Sequence, residues 1–585
     1  MIEVLDKQWI DRAQRVKGIN VEQKTSEIAE KMGLPRMLAR ILVLREVTEI
    51  EDVRQFLHAG LNSLPDPFEM KDMQRAAERI VEGMLMNEKI LISGDYDSDG
   101  CTATSILVLF FAQLGYAQNI KKFIPSRAKD GYGLSKRAIK HAAQTGIGLI
   151  ISVDCGISAH AEAQYAKDLG IDLIISDHHQ PSETLPVAHS IINPHQKDCT
   201  FPYPELAGCG VAFYLACAVR KVLRGKEYFR DRQEPDIASL LDLVSFGTIA
   251  DLVPLTGVNR LLTRSGLLRL EHNARPGICA LREVSGISKM SAGSVGFQLA
   301  PRVNAAGRLD DANIGVNLFL ESDPNKAMEL AKILDEMNRE RRELEQRMLE
   351  HAIKCIEAGH HGERTIVLFH KEYNSGVAGI VASRLVELYN RPVIMGAIGK
   401  DGSCKASGRS IKGFHLFIEL GKCSEYLEGF GGHEGAAGLS IKQENIDAFA
   451  KAFDQRAMEV LTEEDLVPAL YYDCELGLAD VDIELTDCLQ TLEPYGMGNP
   501  APVFVTRKVT ASNVRTVGKD GAHLQFHITD PSGGAKVKCI GFSLGHMADK
   551  IDGASVDVLY KAAVNEFRGE ISVQAEVKDI AISKD

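Results

Sequence analysis

Apolar and polar positions alternate with two different periods along this chain, and the change of period divides it. Between about residues 66 and 321, short apolar runs at 90–92, 149–153 and 173–175 read as buried strands. Stretches of helical period separate them. Residues 101–114 read as a helix stopped by Gly115, residues 158–169 as one stopped by Gly170, and residues 236–252 as a further helix. Strand, helix and strand in repetition predict a parallel sheet in an α/β fold.

The flanking segments read differently. Residues 1–65 look mostly helical and end at the turn-rich run from Ser63 to Pro67. Ser322-Asp323-Pro324 starts a helix, with a cap candidate and Pro just inside, and the pattern continues to about residue 356. That gives a connector helix over 322–358, whose charged middle reads as a solvated face laced with ion pairs. A second α/β unit over 359–462 holds the Gly-rich stretch from Gly429 to Gly438. Over 463–585 the period becomes two: Leu524, Phe526 and Ile528 alternate with polar residues, as do Ile571, Val573, Ala575 and Val577. With turn chemistry at 530–534, this predicts a small β-barrel, for which an OB-fold is one candidate.

The strand ends carry the chemistry. Asp95, Asp97 and Asp99 follow the first run, Asp154 the second, and Asp177-His178-His179 the third; Asp251 closes the helix over 236–252. Ligands of an open α/β sheet gather beyond the carboxyl ends of its strands, so distant groups can converge there. Taken singly, each residue has a duller reading: a polar turn, a strand-end Asp, a surface charge, a satisfied loop histidine. Four such coincidences on one scaffold point instead to a shared site. Many carboxylates at short range raise one another's pKa unless cations separate them. Oxygen ligands with one or two imidazoles suit manganese or magnesium better than zinc. A pair of such ions serves hydrolysis at phosphorus. The Asp triplet also imitates a calcium loop, but Ile106 stands where that loop needs Glu, and a strand precedes it.

Candidate phosphate-binding cations lie in Ser126-Arg127, in the run from Pro301 to Arg308, and in the run from Ala406 to Ser410. Arginine's planar fork suits phosphate, and small neighbours let backbone amides approach an anion. Composition narrows the picture. A net charge of -13 argues against a nonspecific duplex binder but permits a local basic groove. The 12 cysteines form no Cys-x-x-Cys pair, which argues against zinc ribbons and a secreted disulfide frame. The charged first residues lack a signal-peptide core, and no run is long enough to span a membrane. A cytoplasmic protein is expected.

In these motifs the chain resembles the DHH phosphoesterase superfamily, named for the triplet at 177–179, and within it the bacterial single-strand-specific exonucleases. The matching motifs run in order from Asp95 to the Pro494–Pro500 run and cover nearly everything after the N-terminal segment. The resemblance implies a metal-dependent exonuclease that degrades single-stranded DNA from the 5′ end to mononucleotides, in repair and recombination. It implies two Mn²⁺ or Mg²⁺ ions held by Asp97, Asp99, Asp154, His178 and Asp251, with Asp154 bridging and Asp95 assisting. His179 would contact the scissile phosphate. Arg302, Asn304 and Arg308 would hold the substrate backbone, and Arg127, Ser407 and Arg409 the terminal 5′ phosphate. His433 would belong to the DHHA1 domain closing over one strand, and the β-barrel would be the OB-fold guiding that strand in. A single-strand-binding protein and a helicase are implied partners. Some superfamily members carry His where this chain has Ser93, so the first metal site would be weaker or lean more on Asp95. Two rival readings stand: a small-substrate phosphoesterase acting on short oligonucleotides or cyclic dinucleotides, and a non-catalytic scaffold for single strands.

Overall fold

The architecture is seen in a computed structural model, which describes residues 7–126, 130–131, 133–272, 274–309, 312–531, 533–567 and 570–583. The chain forms two compact units. One comprises 10–301, 312–330 and 471–585; the other comprises 1–9, 302–311 and 331–470.

The first unit contains the parallel sheet that the apolar runs predict. Its strands are Ile90–Ser93, Ile120–Phe123, Leu149–Val153, Asp172–Ser176 and Ser190–Ile192. All pair in parallel, and the strand from Ile90 lies between those from Ile120 and Leu149. The chain therefore leaves the Ile90 strand to one side and returns on the other. The crevice at such a reversal is where α/β sheets place their ligands. The middle strands are buried on both faces, which explains why they read as unbroken apolar runs rather than alternating ones. One face is covered by the helices Lys136–Gln144 and His160–Asp168. Ser98–Gln113 and Gly208–Gly225 are buried along most of their length. The expected helix over 236–252 is a 3₁₀ turn, Ile237–Leu240, running into the helix Leu241–Ala250.

The C-terminal part of this unit is a barrel of five strands: Phe504–Val517, His523–Thr529, Lys536–Gly541, Ser555–Phe567 and Glu570–Ile582. The strand from Phe504 pairs with both the His523 and Ser555 strands, which closes the ring. The alternation seen in the sequence puts Leu524, Phe526 and Ile528 inside. The N-terminal segment adds the helices Val21–Met32, Arg36–Leu44 and Ile50–His58. Ile28, Ile41, Leu42 and Val53 share one core with the barrel's Phe504 and Phe526. Arg260, only 2% exposed, ties the pieces together. It donates to the carbonyls of Thr491, Leu492 and Phe56 and lies 4.0 Å over the Phe56 ring.

The second unit has a mixed five-stranded sheet. In order, the strands are Leu427–Gly432, Ala436–Lys442, Ser403–Arg409, Val393–Ile398 and Ile366–His370; only the last two pair in parallel. Residues 331–357 of this unit are the larger part of the helix Pro324–Glu357, at whose start the Asp323 carboxylate accepts from the Asn325 N–H. Two of its arginines are paired, Arg339 with Asp335 and Glu336, and Arg341 with Glu345.

A candidate two-metal centre

The carboxylates at the strand ends meet in the first unit. Asp95 lies in the loop after the Ile90 strand. Asp97 caps the helix Ser98–Gln113, its Oδ1 accepting from the N–H groups of Asp99 and Gly100 at 3.0 Å each. That cap turns Asp99 inward, where its two oxygens accept from Gly208 N–H at 2.6 Å and Cys209 N–H at 2.9 Å. These amides begin the helix Gly208–Gly225, whose positive end suits a carboxylate. Asp154 follows the Leu149 strand with φ of +60°, an uncommon conformation for a residue with a side chain. Asp251 caps the end of Leu241–Ala250.

His178 Nε2 reaches all three sides of this cluster: 3.1 Å from Asp154 Oδ1, 3.6 Å from Asp251 Oδ2 and 3.9 Å from Asp99 Oδ2. Three overlapping groups have ligand atoms within 4.8 Å of one another: Asp95 with Asp97 and Asp154, Asp154 with His178 and His179, and Asp99 with His178 and Asp251. Asp154 and His178 each belong to two groups. The arrangement is therefore a chain of three adjoining donor groups, joined at Asp154 and at His178. Asp95, Asp99 and Asp154 are buried, Asp97, His178 and Asp251 half-buried, and His179 exposed.

The electrostatics state the need for cations. Burial, then neighbouring carboxylates, push Asp95, Asp97, Asp154 and Asp251 above the usual carboxylate range. Burial lowers His178, which favours the neutral form that can coordinate. Asp177 works the other way. Its Oδ2 accepts from Ile157 N–H, and its Oδ1 accepts from the N–H groups of His178 and His179 and lies 2.7 Å from His179 Nδ1. Desolvation opposes charge on both partners, yet their mutual bond lowers Asp177 and raises His179 to about 9. An oxygen-rich donor set with one imidazole, crowded carboxylates and a backbone-anchored cradle fits two manganese or magnesium ions.

Two parts of this site escape a reading of the sequence: the anchoring role of Asp177 and the room left at Gly208 and Gly247. Asp177 reads there as a motif letter, but it fixes both histidines; its position two residues before a site histidine is the available signal. Gly208 and Gly247 do not stand out. A Cβ on Gly208 would stand 2.4 Å from Asp154 Oδ1, and one on Gly247 would stand 2.8 Å from Asp99 Oδ1. Ser93 is buried beneath the centre, its hydroxyl without a hydrogen-bond partner among the described residues.

The remaining expected residues belong to the second unit, except Arg127, which lies outside the described residues. Arg302, Asn304 and Arg308 stand on the helix Ala300–Leu309. Arg302 Nε donates to Asp335 at 2.9 Å, and Arg308 Nη1 to the Gly376 carbonyl at 2.8 Å. Ser407 and Arg409 share a strand, and burial lowers the Arg409 guanidinium. A Cβ on Gly379 would stand 2.9 Å from Arg409 Nη2, so Arg308 and Arg409 both reach the first turns of the helix Ser375–Tyr389. His433 is exposed, and its Nδ1 accepts from Gly435 N–H.

Comparison with known proteins agrees with this geometry part by part. Family models match residues 89–248 (DHH family, N-terminal domain), 362–459 (DHHA1 domain) and 472–579 (RecJ OB domain). The single-stranded-DNA-specific exonuclease RecJ of Escherichia coli K12 is 38% identical over 94% of this chain and 96% of its own length. RecJ of Bacillus subtilis 168 is 38% identical over 96% of this chain and 70% of its own. The crystal structure of Thermus thermophilus RecJ in complex with Mn²⁺ superimposes with a TM-score of 0.82 at 28% identity, covering 99% of this chain and 80% of that one. The Mg²⁺ complex gives a TM-score of 0.76 at 27% identity, covering 99% and 79%. With three domains matched in order and full-length identity at this level, the chain belongs to the RecJ family of single-stranded-DNA-specific exonucleases.

Proposed function

We propose that this protein hydrolyses single-stranded DNA from its 5′ end to mononucleotides, with two Mn²⁺ or Mg²⁺ ions, in repair and recombination. The observation that carries the reading is the chain of adjoining donor groups joined at Asp154 and His178. Asp97, Asp99, Asp154, His178 and Asp251 hold the ions, with Asp154 shared and Asp95 supporting the first set. When bound, such an ion pair supplies a hydroxide nucleophile and charge compensation at the phosphate.

The chain's own groups do the rest. The helix end at Gly208 and Cys209 fixes the Asp99 carboxylate before any substrate arrives. Asp177 orients the His179 ring by its Nδ1, and His179 contacts the scissile phosphate. Arg302, Asn304 and Arg308 hold the sugar-phosphate backbone. Arg127, Ser407 and Arg409 hold the terminal 5′ phosphate, which sets polarity, and His433 takes part in closing over the strand. The protein works in the cytoplasm beside a single-strand-binding protein and a helicase. Digestion of end-labelled strands, with and without 5′ phosphate, in each metal tests the reading. Mononucleotides should leave the 5′ end, faster when it is phosphorylated. Release from the 3′ end, or none with either metal, would refute it.

A further inference from the structure

Phe297 is 83% exposed, more than any other large apolar side chain among the described residues. It stands on a π-helical turn, Val295–Leu299, a rare geometry frequent at functional sites. The turn is firmly seated. Val295 and Leu299 are fully buried, and Ser291 caps the preceding turn by accepting from Ser294 N–H. Their burial holds the backbone while the turn directs the Phe297 ring outward. The end of the turn lies near the acidic centre: the Ala300 carbonyl, three residues on from Phe297, accepts from the Ser98 hydroxyl at 3.3 Å, and Ser98 stands between Asp97 and Asp99. The turn also packs on the helix Leu241–Ala250, where a Cβ on Gly296 would stand 3.3 Å from Ile249 Cγ2.

A solvated phenyl ring costs free energy unless something covers it. Protein partners need roughly 800 Å² per side. Within residues 291–300 the other exposed side chains, Ser291 and Gln298, are polar. A nucleobase does match a single ring, because every base presents a π-face of similar size. We infer that Phe297 is a stacking platform for a base of the single strand beside the scissile phosphate. The inference rests on the proposed nuclease reading and adds a substrate-binding residue to it. Stacking of this kind is indifferent to base identity, as degradation of any sequence requires.

The test uses the full-length, manganese-loaded enzyme on 5′-phosphorylated oligothymidylate, and on the same strand with one abasic site moved along it. Phe297→Ala should raise KM about tenfold, as expected for losing one base–aromatic stack. Phe297→Leu, which keeps bulk without a π-face, should do the same, and Phe297→Trp should restore binding. At one position the abasic site should cost the wild type the same factor and cost Phe297→Ala nothing more. A KM for the Ala and Leu variants within about twofold of wild type, well below one stack, overturns the inference. So does an abasic penalty equal in wild type and variant at every position. Failure of the wild type to release nucleotides would instead sink the nuclease reading, and that arm alone reveals it.

Discussion

At the scale of single residues, the centre depends on atoms that are missing as much as on those present. Gly208 leaves room for the Asp154 carboxylate, which an added methyl would meet at 2.4 Å. Gly208→Ala should therefore fold, because the helix it begins favours Ala, yet misplace Asp154. A displacement near 1 Å at a reacting centre costs about 100-fold in rate. Nuclease assays beside circular dichroism would check this; a folded, fully active variant would contradict the geometry. Asp177 makes a different argument. It is not itself in a donor group, but it fixes two histidines of one through three bonds and is anchored by a fourth from Ile157 N–H. Outer-shell partners of metal-site residues are worth about 10- to 100-fold in affinity or activity. Asp177→Asn should lose that much, with the manganese concentration for half activity shifted upward; an unshifted metal titration would count against Asp177 as the orienting group.

At the scale of elements, the sequence was most legible where burial is complete. The runs at 90–92, 149–153 and 173–175 announced central parallel strands because both of their faces are covered, and the acidic residues beyond them then had one place to go. The barrel was legible because half-buried strands must alternate. Less was legible where distant segments meet. That the helices around Ile28, Ile41 and Val53 share a core with the barrel depends on packing across the length of the chain, which leaves no local period. The buried Arg260 is the clearest case, since arginine is ordinarily a surface residue. Its partners are three carbonyls and a ring contributed by other segments. Arg260→Ala would orphan those carbonyls and leave a void. It should destabilise the first unit by about 3 kcal/mol. Urea denaturation monitored by circular dichroism would check this, and a change below about 1 kcal/mol, the size of one ordinary hydrogen bond, would mean that the contact adds little.

At the scale of the whole molecule, the acidic centre links stability to metal. Without cations, Asp95, Asp97, Asp154 and Asp251 all sit where burial and mutual repulsion oppose their charge. The folded apo-protein therefore bears a cost that the unfolded chain, with its carboxylates apart in water, does not. Ions that bind only the folded arrangement remove that cost and add their own mass-action term, about 2.7 kcal/mol at 100 times the dissociation constant. Chelation should abolish nuclease activity and lower the melting temperature, and restored manganese should reverse both. Asp154→Ala separates the two effects. It deletes the carboxylate shared by the donor sets, so it should abolish activity. It also relieves repulsion, so its apo form should melt no lower than the wild-type apo form, while manganese should raise its melting point less. An Asp154→Ala protein that retained both wild-type activity and the full manganese-induced rise would show that the ions bind elsewhere, because Asp154 is the carboxylate that two of the three donor groups share.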